Sequence, residues 1–224
     1  MLYLIPTPIW NKEDITLRAL NLLKSLPVLI CEDTRTTKKL LSMYDIPYQE
    51  KQFFSLTSFT DKGKLSHYLN LLKEYDVGML SDAGTPGLSD PWKQLIQICN
   101  QENLSYTILP WANALIPAVV WAGFDTSSFC YLGFLPQKKW RQTALKDCMK
   151  REMPTFFYES VHRIEKLIKE LDELGFQWKI CLTREISKLF EERITCDFLQ
   201  LKEMVEKKEI QIKWEFVIGL YPNI

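Results

Sequence analysis

The chain has 224 residues, 46% hydrophobic and 25% charged, and its 28 basic and 28 acidic side chains cancel to zero net charge. This is the make-up of a folded globular protein, not of a disordered chain; no apolar run approaches the ~18 residues of a membrane span, and neutrality argues against broad, nonspecific nucleic-acid binding while leaving room for a local basic face. The start, Met1 to Pro6, lacks the basic flank and small-residue cleavage site of a secretory leader, so a cytoplasmic location is expected.

Leu2 to Ile5 reads as a short buried strand stopped by Pro6-Thr7-Pro8. Asp14 is the expected cap of a helix carrying Ile15, Leu17, Leu20, Leu22 and Leu23. Pro27 to Cys31 is the next apolar run, followed by Glu32-Asp33-Thr34-Arg35 and a helix to about Tyr44, capped by Thr34 or Thr36. A strand over Lys51 to Leu56, a helix from about Asp61 to Tyr75 and a strand Val77 to Leu80 come next. The loop Ser81-Asp82-Ala83-Gly84-Thr85-Pro86-Gly87 leads into a helix from Ser89 or Asp90 to Asn100, a strand Leu104 to Leu109, the loop Pro110 to Asn113 and a helix Ala114 to Trp121. The strands are continuous apolar runs and alternate with helices, the mark of a parallel sheet covered on both faces. Right-handed crossovers would bring the strand exits to one edge.

Around Gly123 to Ser128 the pattern resets, which sets the expected domains at 1–124 and 125–224. The second half is read as a strand Phe129 to Leu132, a turn Gly133-Phe134-Leu135-Pro136 and a basic helix with Lys138, Lys139 and Arg141. A strand Thr155 to Tyr158, a helix Val161 to Leu174 and a strand Lys179 to Thr183 follow. A hairpin-like segment, a helix Phe198 to Lys208 and a final strand Ile210 to Leu220 complete it. Strands outnumber crossovers here, so the fold class is α/β with a parallel sheet first and a mixed sheet second. Cys31, Cys99, Cys130, Cys148, Cys181 and Cys196 form no C-x-x-C pair and read as buried thiols, and His67 and His162 have no partner histidine, so no metal is expected.

The loop after Val77 to Leu80 is the richest chemically. Strand, glycine-bearing loop and helix start is where an open α/β sheet keeps its ligand. The loop matches neither the Walker nor the dinucleotide pattern. A carboxylate at the strand exit, Asp82, suits a ribose hydroxyl or a cation and repels pyrophosphate, which favours an adenosyl sulfonium compound over NAD or ATP. Turn and helix capping account for Asp82 and Asp90 equally well. Glu32, Asp33 and Arg35 admit two readings, substrate holding or proton transfer on one side and a capped helix with a surface ion pair on the other. Glu159 with Arg163, and Arg184 with Glu185, carry the same ambiguity; Lys138, Lys139 and Arg141 are read as a solvated helix start in preference to phosphate contacts.

Ile5-Pro6-Thr7-Pro8-Ile9, Asn11 with Glu13 to Leu20, Cys31-Glu32-Asp33-Thr34-Arg35-Thr36, Ser81 to Pro91, Gly133-Phe134-Leu135-Pro136, Phe157-Tyr158-Glu159-Ser160 with His162-Arg163, and Arg184-Glu185 follow in order along the chain. Together they resemble the ribosomal RNA small subunit methyltransferase I group of the tetrapyrrole methylases. The resemblance implies a two-domain class III methyltransferase, a homodimer, with S-adenosylmethionine in a cleft between the domains and a cytidine ribose 2′-hydroxyl of 16S rRNA, in the small ribosomal subunit, as methyl acceptor. Carried over by position, the cofactor contacts are Pro6, Asp82, Ala83, Gly84, Thr85, Asn113, Ala114, Leu115, Gly133, Phe134, Leu135, Tyr158 and Arg184. Glu32, Asp33 and Arg35 are the catalytic candidates. A relative acting on a tetrapyrrole or other small molecule, and a noncatalytic member of the family, are the alternatives; neutral net charge leans toward the small molecule.

The chain departs from the family pattern in one recurring way. Trp10, Trp92, Trp111, Trp140 and Trp214 stand where the pattern has glycine, in a chain with only 8 glycines, about half the usual ~7%, and 7 tryptophans. UGA is read as tryptophan in some bacterial lineages and as glycine in others, so one difference in decoding accounts for all five. Ser55-Leu56-Thr57-Ser58-Phe59 also differs from the family's Tyr-His-Glu-like segment, which bears on substrate contacts.

Overall fold

The run Val28–Cys31 is buried at all four positions, and the reason is that both faces of its sheet are covered. In the computed structural model the described residues are 1–56, 62–87, 93–110, 113–213 and 215–221. The chain divides into two compact units, Met1–Asn113 and Ala114–Ile224.

In the first unit β1 (Leu2–Leu4), β2 (Val28–Cys31), β3 (Gln52–Ser55), β4 (Val77–Leu80) and β5 (Tyr106–Ile108) form one sheet in the order β3-β2-β4-β1-β5. Every neighbouring pair is parallel, as the uninterrupted apolar strands predict. The crossovers carry α1 (Leu17–Ser25), α2 (Thr34–Met43), α3 (Lys62–Glu74) and α4 (Lys93–Gln101). Alternate strand residues feed two cores. Val28, Ile30, Val77 and Met79 pack with Leu71 and Leu72 of α3 and Leu95 of α4; Leu29, Cys31 and Leu80 pack with Ala19 and Leu23 of α1 and Leu41 of α2. Gly78 allows the tight layer spacing, since a Cβ there would lie 2.7 Å from Leu29 Cδ2.

Two helix starts differ from expectation. Asp14 ends a 3₁₀ turn, Lys12–Asp14, and extended Ile15 and Thr16 intervene before α1. Thr16 is the cap, accepting the Ala19 N–H at 3.1 Å. At α2 the cap is Asp33, not Thr34 or Thr36, because Asp33 is the last extended residue and its carboxylate reaches the Arg35 N–H at 2.8 Å. The expected start of α4 at Ser89 or Asp90 lies outside the described residues, as do Asp90, Pro91, Trp92, Trp111, Trp214 and Thr57-Ser58-Phe59.

The second unit holds α5 (Leu115–Trp121), β6 (Cys130–Phe134), α6 (Arg141–Met149), β7 (Thr155–Glu159), α7 (Ile164–Glu173), β8 (Lys179–Arg184), β9 (Glu192–Asp197), α8 (Phe198–Glu206) and β10 (Phe216–Leu220). Its sheet runs β6-β7-β10-β8-β9, parallel only between β6 and β7, and is therefore mixed. The hairpin-like segment is a full strand, β9, paired with β8 from Lys179 to Arg184. The turn expected at Gly133 is instead part of β6: the strand passes through Gly133 and Phe134 with a register shift after Tyr131, which Gly133 accommodates at φ 65°. The final strand begins at Phe216, later than Ile210. One face of this sheet packs on α6, α7 and α8 through Leu145, Leu167, Leu171 and Phe198. The other packs on α5 through Leu115, Ala118 and Val119, against Phe156, Cys181 and Val217.

The second unit also buries charge. Arg141, 2% exposed, donates from Nη2 to Glu159 and from Nε to Glu170, both at 2.7 Å, and Arg163 donates to the other oxygen of Glu159. The expectation of a solvated Arg141 is thereby corrected. It shares a face of α6 with buried Leu145 and Cys148, and the two carboxylates compensate its burial. The six cysteines are free thiols, and Cys31, Cys99, Cys148 and Cys181 are buried. Among the described residues no helix is long and apolar enough to cross a membrane, and no group of three or more His, Cys, Asp or Glu side chains is set to hold a metal ion.

Candidate functional site

Parallel topology brings the exits of β1, β2 and β4 together, because β4 lies between the other two. The chain after β4 is then stitched to the chain after β1. Thr7 N–H donates to Gly84 O and Gly84 N–H donates to Thr7 O, both at 3.0 Å, while Thr7 Oγ1 donates to Ser81 O at 3.0 Å. Ser81 Oγ donates into the loop, to Gly84 O at 3.2 Å. Pro6, Thr7 and Ser81 are buried, and Gly84 takes φ 77°, a conformation that costs other residues strain. Sequence reasoning does not single out Thr7 or Ser81 as site residues; the signal for Thr7 is its place as a lone polar residue between two prolines after a buried strand.

A second set of bonds joins β4 to β2. Asp33 N–H donates to Asp82 Oδ1 at 3.2 Å, and Asp82 N–H donates to Glu32 Oε2 at 3.3 Å. Glu32, Asp33 and Asp82 are thus drawn into one acidic edge, with Asp82 and Ala83 exposed and Thr85 half-buried. Partial desolvation, and then the charge of Glu32, push the Asp82 carboxyl above its ordinary range. Asp33 goes the other way, to about 2, because Arg35 donates to it from side chain and backbone. The Arg35 side chain is 90% exposed. This edge suits a cation or hydroxyl donors and disfavours a polyphosphate, which is the donor chemistry of an adenosyl sulfonium. Asn113, half-buried, closes the first unit; Trp111 and Ala112 before it lie outside the described residues.

The remaining residues expected at the site belong to the second unit. Ala114 caps α5 without a side-chain bond, and Leu115 is 7% exposed in the α5 core. Leu135 is 3% exposed in the main core, so only its backbone is left for a ligand. Gly133 is half-buried, and Phe134 is exposed with its ring 5.2 Å from that of Tyr158. Tyr158 also meets Tyr131 edge-on at 5.7 Å, and burial pushes its hydroxyl well above the usual range. Arg184 is buried and donates to Glu192 at 2.7 Å, while Glu185 accepts from Lys188 at 2.6 Å. Arg184 and Glu185 are therefore not partners of each other in this set of bonds. Glu159 and Arg163 do bond, and with Arg141 and Glu170 they make a structural network.

The family model of the tetrapyrrole (corrin/porphyrin) methylases matches residues 1–201. The chain belongs to that family. A relative in Helicobacter pylori, called ribosomal RNA small subunit methyltransferase I, is 34% identical over 97% of this chain and 82% of its own length. A relative of the same name in a Hydrogenobaculum species is 37% identical, over 98% and 94%. Among solved structures, uroporphyrin-III C-methyl transferase from Thermus thermophilus, complexed with S-adenyl homocysteine, aligns with a TM-score of 0.62 at 15% identity, covering 97% of this chain and 96% of that one. That likeness concerns the fold. As a tetrapyrrole methylase family member the chain accounts for both sheets, the parallel one and the mixed one.

Proposed function

We propose that this protein transfers a methyl group from S-adenosylmethionine to the 2′-hydroxyl of a cytidine ribose in 16S rRNA, working in the cytoplasm as a homodimer. The observation that carries the reading is the acidic, doubly stitched edge of the first unit, in a chain that matches proteins named ribosomal RNA small subunit methyltransferase I over nearly its whole length. When bound, S-adenosylmethionine supplies a methyl made electrophilic by its sulfonium. In this reading Asp82 and the backbone of Ala83, Gly84 and Thr85 hold the cofactor, with Pro6, next to Thr7 of the stitch, and Asn113 as further candidates in the first unit. The family resemblance adds Ala114, Leu115, Gly133, Phe134, Leu135, Tyr158 and Arg184 as cofactor-binding candidates.

Proton removal falls to Glu32. Asp33 is a poor base, since Arg35 and the start of α2 already hold its carboxylate. Arg35, exposed beside it, meets the RNA backbone. Glu32 would accept the proton of the ribose hydroxyl as that oxygen takes the methyl group. The dimer finds support in the second unit, where Ile116 and Val120 of α5 and Leu189 and Phe190 after β8 are exposed apolar side chains.

Calorimetry with S-adenosylmethionine, followed by methyl transfer to isolated small ribosomal subunits, tests the reading. The expected product is one alkali-resistant linkage 3′ to a cytidine. Binding without RNA methylation, together with transfer to a tetrapyrrole, would shift the acceptor to a small molecule, the class that zero net charge favours. No binding at all would leave a noncatalytic member of the family.

A further inference from the structure

Backbone conformation separates the tryptophans of this chain into two kinds. Among the described residues, Trp10 has φ 138° and Trp140 has φ 72°, whereas neither Trp121 nor Trp178 has a positive φ. A Cβ atom disfavours positive φ, and the narrow well open to residues other than glycine lies near +50 to +70°. Trp10 lies far beyond it, in a range that is close to glycine's alone. The surroundings divide the same way. The indoles of Trp10 and Trp140 are 73% and 65% exposed, which gives little burial to offset the strain. Trp178 meets Phe176 edge-on at 5.2 Å, and Trp121 lies within helix α5.

Trp140 has a further mismatch. It is the residue that caps α6, and its side chain makes no capping bond. Serine, threonine, asparagine, aspartate and glycine fill that position well; a large side chain with no acceptor does not. Glycine supplies the observed φ at no steric cost. Composition agrees, with 8 glycines beside 7 tryptophans.

We propose that in its own cell this protein carries glycine at positions 10 and 140, specified by UGA codons read there as glycine. The inference concerns decoding and does not depend on the methyl-transfer reading. It also bears on that reading, because position 111 falls in sequence between Pro110 and the cofactor candidate Asn113, and the same decoding decides what stands there.

The test reads the gene and the native protein together. UGA is expected at codons 10 and 140 and UGG at codons 121 and 178, with native peptides spanning 10 and 140 at the mass of glycine. UGG at codon 10 or 140, UGA at codon 121 or 178, or a native peptide carrying tryptophan at 10 or 140 would overturn the proposal. Codons 92, 111 and 214 are read in the same experiment, and each UGA among them becomes glycine by the same rule. A second measurement uses the recombinant chain that carries all seven tryptophans. Trp10→Gly and Trp140→Gly should each raise its thermal midpoint by a few degrees, while Trp178→Gly lowers it. A fall with both Trp10→Gly and Trp140→Gly would count against glycine backbone at these sites.

Discussion

Asp33 donates its backbone N–H to Oδ1 of Asp82 across 3.2 Å, so the exit of one parallel strand holds the exposed carboxylate at the exit of its neighbour. The Asp82 backbone N–H returns the link to Glu32 at 3.3 Å. This pair of bonds orients a carboxylate that the fold does not need for its core. Asp82→Ala should weaken S-adenosylmethionine binding by roughly 10- to 100-fold, the worth of a hydrogen bond to a charged group, while the urea midpoint moves little. Asp82→Asn keeps an acceptor and should fall between. Calorimetry on both variants decides the matter, and unchanged affinity would remove Asp82 from the site.

The same edge has a signature at low pH. Arg35 holds the Asp33 carboxylate at about 2, below the ordinary 3.8. A depressed carboxyl stabilises the fold above its unfolded value and loses that contribution as pH falls toward 2. Carbon-13 NMR of the Asp33 carboxyl should therefore show a midpoint near 2, and Arg35→Gln should move it up toward the ordinary value. A midpoint that ignores Arg35→Gln would show that the ion pair does not form in solution.

In the second unit, Arg141 bridges Glu159 and Glu170. Arg141→Met fits the space but takes the buried cation from two carboxylates, leaving fully buried Glu159 to Arg163 and Glu170 to a Lys166 ammonium 3.7 Å away. The expected loss is about 3–5 kcal/mol in urea denaturation. Glu159→Gln keeps the shape and should cost less. A loss under about 1 kcal/mol for Arg141→Met would mean that solvent reaches the network.

How far the sequence could be read depended on the kind of interaction. Strands such as Val77–Leu80 were legible because burial on both faces leaves a continuous apolar run. The acidic edge was legible as residues, and its motifs named the loop, but not as bonds. Thr7 and Gly84 are far apart in the chain, and only the adjacency of β1 and β4 brings them together. Arg141 was not legible because a charge at a helix start resembles solvated charge until its partners, from β7 and α7, are known. The caps at Thr16 and Asp33 differ from expectation by a residue or two because several capping residues stand in a row. Gly133 reads as a turn because a bulge and a turn ask the same thing of a glycine.

Gly219 in β10 supplies a test of packing. A Cβ there would stand 2.6 Å from Phe156 Cε1, so Gly219→Ala should cost about 1–3 kcal/mol by overpacking. Adding Phe156→Leu should recover part of that loss, and a double-mutant cycle in urea measures the coupling. Strict additivity would show that the ring moves aside without cost.

The place of β1 in the first sheet sets a schedule for synthesis. Its two neighbours are β4 and β5, and its first residue, Leu2, pairs with Val77, about 75 residues downstream. At roughly 5–20 residues per second the newborn apolar strand waits several seconds for a partner. Meanwhile β2 and β3 can pair with each other. β1 is thus made well before it can be locked, and the stitched edge that depends on it cannot form until most of the first unit exists.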